Sequence, residues 1–321
     1  MKRVGLIDVD GVNFPNLPLM KISAYHKANG DMVEWYHPFD HFDIVYKSKV
    51  FTDTPDYNEY INADIVIKGG TGYAIHGAGG ETYSKNDDPQ LPNEIEHIYP
   101  DYSIYDITDT AYGFLTRGCP RGCPFCIVGK KEGLCSKKVA DLSEFWHGQK
   151  NIVLNDPNIL ACREWEDLLL QLSDSRAMVD FNQGLDARLL TEEKCCAINK
   201  IKIKEIHFAW DRYEDKEIIL PKLKMFSEIC QTKPHSHNAI VFVLTNYNST
   251  IKQDLERIYI LREMGYWAYV MIYDKVRADH KYIELQRWCN NRFIFAACPK
   301  FEDYGKPQQN IHEKQLSLFS L

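Results

Sequence analysis

Three cysteines lie close together in the segment TRGCPRGCPFC, residues 116–126. Cys119, Cys123 and Cys126 have the spacing C-x3-C-x2-C, and the next cysteine along the chain is Cys135. Closely spaced thiolates bind zinc or an iron–sulfur cluster. Structural zinc usually takes four ligands from paired C-x2-C units, which this segment lacks. A four-iron cluster held by three thiolates would keep one iron free for a substrate or cofactor, so we expect a [4Fe-4S] cluster here, with zinc as the alternative.

The elements around this loop alternate between apolar strand segments and helical segments over residues 109–300. The predicted strands are AYGFLTRG, NIVLND, AMVDFNQG, EIHFAWD, AIVFVLTN and WAYVMIYD. Helical periodicity in the segments between them indicates βα units in series, in which each strand returns through a helical crossover. The sequence therefore predicts an α/β fold with a partial (β/α)6 barrel. The cysteine loop directly follows the first strand, at the edge where such barrels build their sites.

A smaller unit precedes the barrel. Residues 1–75 read as strand, helix, strand, helix, strand, with YNEYINA as the second helix, and predict a small doubly wound parallel sheet. Residues 76–108 are rich in Gly, Pro, Asn and Asp and are expected to form a linker. Residues 301–321 are predicted to be a flexible tail.

Most of the predicted barrel strands end in polar residues. Asn155 and Asp156 end the second strand, and Asn182 and Gln183 end the third. In β/α barrels the carboxyl ends of the strands carry the site. The alternative is that such residues cap the helix that follows.

The cysteine loop resembles the signature of the radical SAM superfamily, which has this cysteine spacing and an aromatic residue, here Phe125, before the last cysteine. The resemblance covers residues 111 to about 298. It implies that the open iron binds S-adenosylmethionine and that an electron from a donor such as flavodoxin or ferredoxin splits this cofactor. The resulting 5'-deoxyadenosyl radical would then take a hydrogen atom from a substrate.

The resemblance also implies roles for the strand-end residues. Asn155 and Asp156 would hold the methionyl amine, and Asn182 or Gln183 the ribose hydroxyls. Arg188, in DFNQGLDARLL, could bind a carboxylate. The alternative for Arg188 is an ion pair with Asp186 or Glu192.

Cys298, in FAACPK, is placed by the sequence at a late strand end and is a candidate radical relay or hydrogen donor. The other cysteines outside the loop show no second cluster spacing. Small buried apolar side chains are the expected role for most of them.

Residues 1–75 resemble the cobalamin-binding domains that precede the barrel in one radical SAM branch. Those that supply a histidine ligand carry D-x-H-x-x-G, whereas the matching loop here reads DVDGVNFPN, with Asp10 and Gly11 in the histidine context. Cobalamin is therefore not expected, and the domain could act as a lid or hold substrate. His26, His37 and His41 lie elsewhere in it and are expected to be structural.

The overall composition is that of a soluble globular protein. The 321 residues are 45% hydrophobic and 26% charged, with a net charge of -7 that argues against a uniformly basic nucleic-acid-binding surface. No apolar run approaches the roughly 20 residues of a membrane span, and the first residues lack a signal-peptide pattern. We expect a cytoplasmic protein with reduced thiols and no membrane association.

The last residues, QLSLFSL, are apolar at the end of a polar segment. Gln315, Leu316, Leu318 and Phe319 match the Q-L-[SD]-L-F peptide with which bacterial replication and repair proteins dock to the sliding clamp. Leu and Phe anchors on a short peptide suit a preformed apolar groove. The alternatives are packing of the segment on the barrel or a disordered end.

Clamp docking would place the enzyme on DNA and would make a nucleotide within DNA its expected substrate. The sequence thus favours a radical SAM enzyme that modifies or repairs a nucleic acid. The same chemistry on a peptide, tRNA or small metabolite is one alternative, and a non-catalytic iron–sulfur sensor or adaptor is another.

Overall fold

Two parallel sheets organise the chain, so the predicted α/β class is confirmed. The computed structural model describes residues 1–11, 14–76, 82–230 and 238–305. The first sheet has the strand order β2-β1-β3-β4, with all pairs parallel. Its elements are β1 (Arg3–Asp8), α1 (Leu17–Ala28), β2 (Met32–Trp35), β3 (Phe42–Ser48) and β4 (Ala63–Gly69).

The predicted second helix of this unit, YNEYINA, is wrong: residues 49–62 are irregular. Tyr57 and Ile61 have helical spacing, but both pack as loop residues against the buried side chains of β1 and β3. Asn58 and Asn62 in this segment are weak helix formers, so the packing of Tyr57 and Ile61 on the sheet decides its irregular conformation. As a result, Ile65, on edge strand β4, remains about half exposed.

The expected linker contains short elements. Before it lies α2 (Thr71–Ala74), within the range expected for the first unit, and β5 (Ile75–His76) spans its start. Within the linker lie β6 (Thr82–Tyr83) and α3 (Asn93–Glu96), with 3-10 turns at Lys85–Asp87 and Tyr102–Tyr105. The hydroxyl of Tyr105 donates to the Asp8 carboxylate at 2.6 Å, which ties the linker to the first sheet. The ammonium of Lys131 pairs with Asp88 at 3.3 Å and donates to the Thr71 hydroxyl. These contacts connect the linker to α4, the helix that follows the cysteines.

The second sheet has six parallel strands in sequential order. All six predicted strands and the five predicted helices between and after them are present. The elements from this point are β7 (Thr110–Gly113), β8 (Thr116–Arg117), α4 (Val128–Lys131), β9 (Lys137–Lys138), β10 (Asn151–Leu154), α5 (Trp165–Ser175), β11 (Met178–Leu185), α6 (Glu192–Ile198), β12 (Lys202–Ala209), α7 (Lys216–Ile229), β13 (Ala239–Thr245), α8 (Ile251–Glu263), β14 (Trp267–Ile272), α9 (His280–Asn290) and α10 (Arg292–Ala297). In the six-stranded sheet the order is β7-β10-β11-β12-β13-β14, with β7 and β14 at the edges.

The helices pack on one face of this sheet through apolar stripes. Leu168, Leu169 and Leu172 of α5 are at most 1% exposed and join a core with the alternate side chains of the strands. Each such leucine stabilises the fold by about 1.5–3 kcal/mol relative to an exposed position. Local signals place the helix ends as well: Thr250 caps α8 and forms a capping box with Gln253.

A fully buried ion pair joins α8 to the ends of two strands. Arg257 and Asp254 both have 0% side-chain exposure, and their closest atoms lie 2.6 Å apart. The Arg257 guanidinium also donates to the carbonyl oxygens of Trp210 at 2.5 Å and Leu244 at 2.7 Å. One side chain therefore holds the carboxyl ends of β12 and β13 against the helix layer.

The predicted position of Cys298 at a strand end is wrong. This residue ends helix α10, and its carbonyl accepts a hydrogen bond from the Trp288 indole at 2.9 Å. The next residue, Pro299, contacts Arg262 at the end of α8, next to the amino end of β14. Cys298 thus lies near the amino ends of the strands, whereas the cysteine loop lies at their carboxyl ends. Helical packing of Phe295 decides this placement, since FIFAAC is apolar enough to suit either structure.

Among the helices of the described ranges, none is both long enough and apolar enough to cross a membrane.

Candidate metal centre and cofactor cleft

The cysteine loop lies between β8 and α4, at the carboxyl edge of the six-stranded sheet. A tight turn begins it: Gly118 has φ +86°, and a Cβ there would lie 2.2 Å from the carbonyl oxygen of Cys135. The next amide, of Cys119, donates to the Gly133 carbonyl at 3.1 Å. Only glycine suits this close approach. The returning segment at 133–138 thus fixes the start of the loop.

The three loop cysteines are electrostatic neighbours. Burial raises the pKa of Cys123, and the nearby Cys126 and Cys119 thiols raise it further. Burial also raises the pKa of Cys126, with Cys119 adding to the effect. Within the described residues, however, no group of three His, Cys, Asp or Glu side chains has the geometry to hold a metal ion. The cluster therefore stays a prediction. It is supported by the electrostatic interaction among three thiols on one loop.

Asn158 supplies the strongest structural sign of a ligand beside these cysteines. Its side-chain amide donates to the Cys119 sulfur at 3.4 Å, and the residue is only 2% exposed. Its Oδ1 atom is buried without a hydrogen-bond partner in the described part of the chain. Amide hydrogen bonds to cysteine sulfur are a means by which proteins stabilise anionic iron–sulfur clusters. The donor set and this orphaned oxygen fit a bound group at this position.

The strand-end residues separate into two roles. The Asn182 amide donates to Asn155 Oδ1 at 3.1 Å, so these side chains meet across β10 and β11 at the carboxyl edge of the sheet. Asp156 is 5% exposed, and its carboxylate accepts from the Leu115 amide at 3.1 Å and the Thr116 hydroxyl at 2.6 Å. Its oxygens hold the segment before the cysteine loop. Gln183 is exposed. The roles in cofactor binding stay predictions, for which Asn155 and Asn182 have the best placement.

Arg188 lies in an ion network that reaches the cysteine loop. Its guanidinium binds Asp186 at 2.7 Å and Asp215 at 3.2 Å, and Arg121 of the loop binds the other Asp186 oxygen at 2.5 Å. The alternative of an Asp186 pair is therefore present in the structure. The Asp186 side chain is only 7% exposed while Arg188 is 25% exposed, so the pair is partly buried. Binding of a cofactor carboxylate by Arg188 stays a prediction.

Phe125 begins a row of aromatic rings above the strand ends. Its ring contacts Tyr247 at a centroid distance of 5.3 Å, and Tyr247 contacts Tyr273 at 4.9 Å, both edge-on. Asp211 lies close to the loop cysteines: burial raises its pKa to about 6, and its charge raises the pKa of both Cys123 and Cys126. The row can shield the cleft from water on the β13 and β14 side.

The face of the six-stranded sheet away from the helices carries the polar side chain of Asp180. Asp180 alternates with core residues Val179 and Phe181, so it points to this face together with Met178, which is 39% exposed. The Asp180 side chain is 14% exposed, and its Oδ1 has no hydrogen-bond partner in the described ranges. Burial, with the opposite Glu205 adding to the effect, raises the pKa of Asp180 to about 6.

This raised pKa predicts a pH-dependent stability difference between the wild type and Asp180→Asn. The pKa of Asp180 rises from an ordinary 3.8 to about 6 on folding, so the folded state favours the protonated carboxyl. The stability that protonation provides is complete below about pH 4 and is lost as the pH rises through 6. We expect urea unfolding to show Asp180→Asn gaining stability relative to wild type over this range. A difference that stays constant with pH would contradict the assigned burial, and exposed Asp174→Asn is the control.

In the unit built on the first sheet, His26 and Asp10 make structural hydrogen bonds. His26 is 5% exposed and lies 2.8 Å from Asp31 and 3.0 Å from the Tyr46 hydroxyl, so it is structural. Asp10, in the loop matching the histidine motif, accepts from the backbone amides of Val50 at 2.5 Å and Phe51 at 3.3 Å. This carboxylate thereby holds the loop to the end of β3.

Three cleft residues were not singled out by the sequence reasoning: Asn158, Tyr247 and Tyr273. Asn158 follows NDP at the end of β10, Tyr247 directly follows the predicted strand AIVFVLTN, and Tyr273 lies near the end of the predicted strand WAYVMIYD. Position at strand ends was therefore the available signal. The tail residues 315–319 lie outside the described residues.

Comparison with protein-family models found no match, and comparison with curated proteins found no significant one.

Proposed function

We propose that this protein is an iron–sulfur enzyme of the radical SAM type that acts on a nucleic acid. One observation carries the proposal: the C-x3-C-x2-C loop follows the first strand of six parallel strands in sequential order, at their carboxyl edge. That order is the one a (β/α)6 partial barrel requires, with β7 and β14 as its open edges. We infer that the sheet curves in this way around the cleft.

In this proposal Cys119, Cys123 and Cys126 bind the cluster through their thiolates. A [4Fe-4S] cluster bound there supplies one-electron reduction of S-adenosylmethionine, which is the chemistry implied by the resemblance. The Asn158 amide orients the Cys119 sulfur from 3.4 Å and lowers the cost of the negative charge on it.

The remaining cleft residues position the cofactor and exclude water. The paired amides of Asn155 and Asn182 offer donors and acceptors to its amine and hydroxyl groups. Asp186 holds the cysteine loop through Arg121, so the thiols keep their place relative to β11. The rings of Phe125 and Tyr247 cover the opposite side, and a dry cleft would protect a reactive radical from side reactions.

The test is anaerobic purification followed by reduction with S-adenosylmethionine present. We expect a brown protein with about four irons per chain that releases 5'-deoxyadenosine. An iron-loaded protein that forms none of this product would instead favour the sensor or adaptor. Colourless protein that binds a single zinc would overturn the proposal.

The nucleic-acid part of the proposal rests on the tail peptide. We expect full-length protein to capture bacterial sliding clamp, and the double change Leu318→Ala and Phe319→Ala to reduce capture at least tenfold, because anchor residues carry most of the energy of short docking peptides. Leu321→Ala, outside the motif, is the matched control. Equal capture by the double variant, or no capture by the intact protein, would remove this argument for DNA.

A further inference from the structure

We propose that the open face of the six-stranded sheet contains a base-recognition subsite, made by Asp180, Glu205 and His207, that takes the hydrogen-bonding edge of guanine. The inference rests on the proposed function only in taking a nucleic acid as the substrate. Asp180 and Glu205 are direct partners across β11 and β12, and His207 lies two residues further along β12. Strand geometry places this group about 7 Å below Asn182 in the cleft.

The subsite presents hydrogen-bond acceptors. The His207 side chain is 8% exposed, and burial lowers its pKa, so the imidazole is neutral near pH 7. Its Nδ1 atom lies 3.1 Å from the carbonyl oxygen of Phe181, which can only accept, so Nδ1 carries the proton. Nε2 is then an acceptor, 3.9 Å from a Glu205 oxygen.

Asp180 lacks the charge partner that its neighbour has. Glu205 pairs with Arg292 at 3.3 Å, whereas in the described ranges Asp180 Oδ1 has only the neutral His207 imidazole near it, with Nδ1 at 3.8 Å, and no lysine or arginine within 4.0 Å. A buried carboxylate with an unpaired oxygen is costly, and N–H donors of a ligand would relieve that cost. With Glu205 directly opposite and the His207 Nε2 acceptor beside it, the site favours a ligand that offers more than one donor.

Aromatic rings extend from these acceptors across the same face. His207 stacks on Phe242 at a centroid distance of 5.0 Å and an angle of 15°, and Phe242 contacts Tyr269 at 5.8 Å. Both aromatic residues are partly exposed, and Met271 on β14 is 46% exposed, so the face is open to a ligand. A planar heteroaromatic ring suits such a surface.

Guanine fits this combination better than the other bases, since adenine and cytosine each place a ring-nitrogen acceptor next to their amine donor. Its ring N–H and exocyclic amine are adjacent donors that a single carboxylate can accept together. Thymine places carbonyl oxygens on both sides of its one N–H, and these would face the carboxylates unfavourably. A flipped or single-stranded guanine could enter the cleft with its edge toward Asp180.

The test is equilibrium binding of nucleosides to the full-length protein, measured by calorimetry without reductant. We expect 2'-deoxyguanosine to bind at least tenfold more tightly than 2'-deoxyinosine, which lacks only the exocyclic amine, and thymidine to bind most weakly. Asp180→Asn should weaken 2'-deoxyguanosine binding at least tenfold and remove its advantage over 2'-deoxyinosine. Asp174→Asn, on the exposed face of α5, should bind as wild type does.

Equal binding of the two purine nucleosides by wild type, or unchanged 2'-deoxyguanosine binding by folded Asp180→Asn, would overturn the subsite. Circular dichroism and the urea unfolding described above establish that the variant folds. If wild type forms 5'-deoxyadenosine yet does not discriminate, the subsite is wrong and the proposed function stands. If it discriminates but never forms that product, the subsite stands and the radical chemistry does not.

Discussion

Replacing Cys119, Cys123 or Cys126 with alanine is expected to lower bound iron from about four atoms per chain to less than about one, and to abolish 5'-deoxyadenosine formation. With only three thiolates available, losing one leaves two irons without protein ligands. Anaerobic purification with iron analysis and the characteristic visible absorption measures the first effect. Product chromatography measures the second.

Cys135→Ala is the informative control, because this exposed cysteine is the nearest to the loop outside the motif. Its backbone carbonyl packs against Gly118, and the substitution leaves that contact in place. We expect iron content and product formation close to wild type. If Cys135→Ala loses as much iron as Cys123→Ala, a fourth thiolate closes the site. The open iron, and with it the proposed chemistry, would then be excluded.

Arg257→Met is expected to destabilise the protein by about 3–5 kcal/mol, the range for breaking a fully buried ion pair. The change removes the donors to the Trp210 and Leu244 carbonyls and leaves Asp254 charged and buried, with the Ser249 hydroxyl as a remaining donor at 2.6 Å. Denaturant unfolding of the purified variant measures this loss. Because β12 and β13 end at this guanidinium, weaker cofactor binding should accompany it.

Two variants test the cause of this loss. Arg277→Met breaks a pair in which the arginine is 71% exposed, and should cost less than about 1 kcal/mol. Adding Asp254→Leu to Arg257→Met should recover part of the loss, since the uncompensated charge is then gone. A single variant as stable as wild type would show that the pair contributes little.

The ion network around Asp186 gives the proposed centre a mechanical support that the motif alone does not imply. Asp186 comes from the end of β11, and it contacts both Arg121 between the first two cysteines and Arg188. Lys131 holds the other end of the segment through Asp88 and Thr71. The loop is thus tied to the sheet on one side and to the linker on the other. This arrangement suits a site that must keep its geometry while binding a large cofactor.

The sequence by itself determined the α/β class and the elements of the six-stranded sheet. Strands such as AIVFVLT are near-continuous apolar runs, as is typical of a parallel strand that lies between two others, and this signal is local. The loop position of Cys119, Cys123 and Cys126 follows from the same alternation. Local signals failed where packing decides: Tyr57 and Ile61 pack on the first sheet from irregular backbone instead of a helix, and Cys298 ends a helix in an apolar stretch compatible with either structure.

Only the tertiary structure decided which polar side chains meet. Asn155 and Asp156 are adjacent in sequence, yet their side chains have different partners. Asn155 accepts from Asn182, whereas Asp156 accepts from the Leu115 amide and the Thr116 hydroxyl. Likewise, nothing local distinguishes Asp180, whose buried oxygen lacks a partner in the described residues, from its solvent-exposed counterparts. Hydrogen bonding and burial depend on neighbours that are distant in the chain, so residue type and spacing propose a site, and packing selects the members that can act in it.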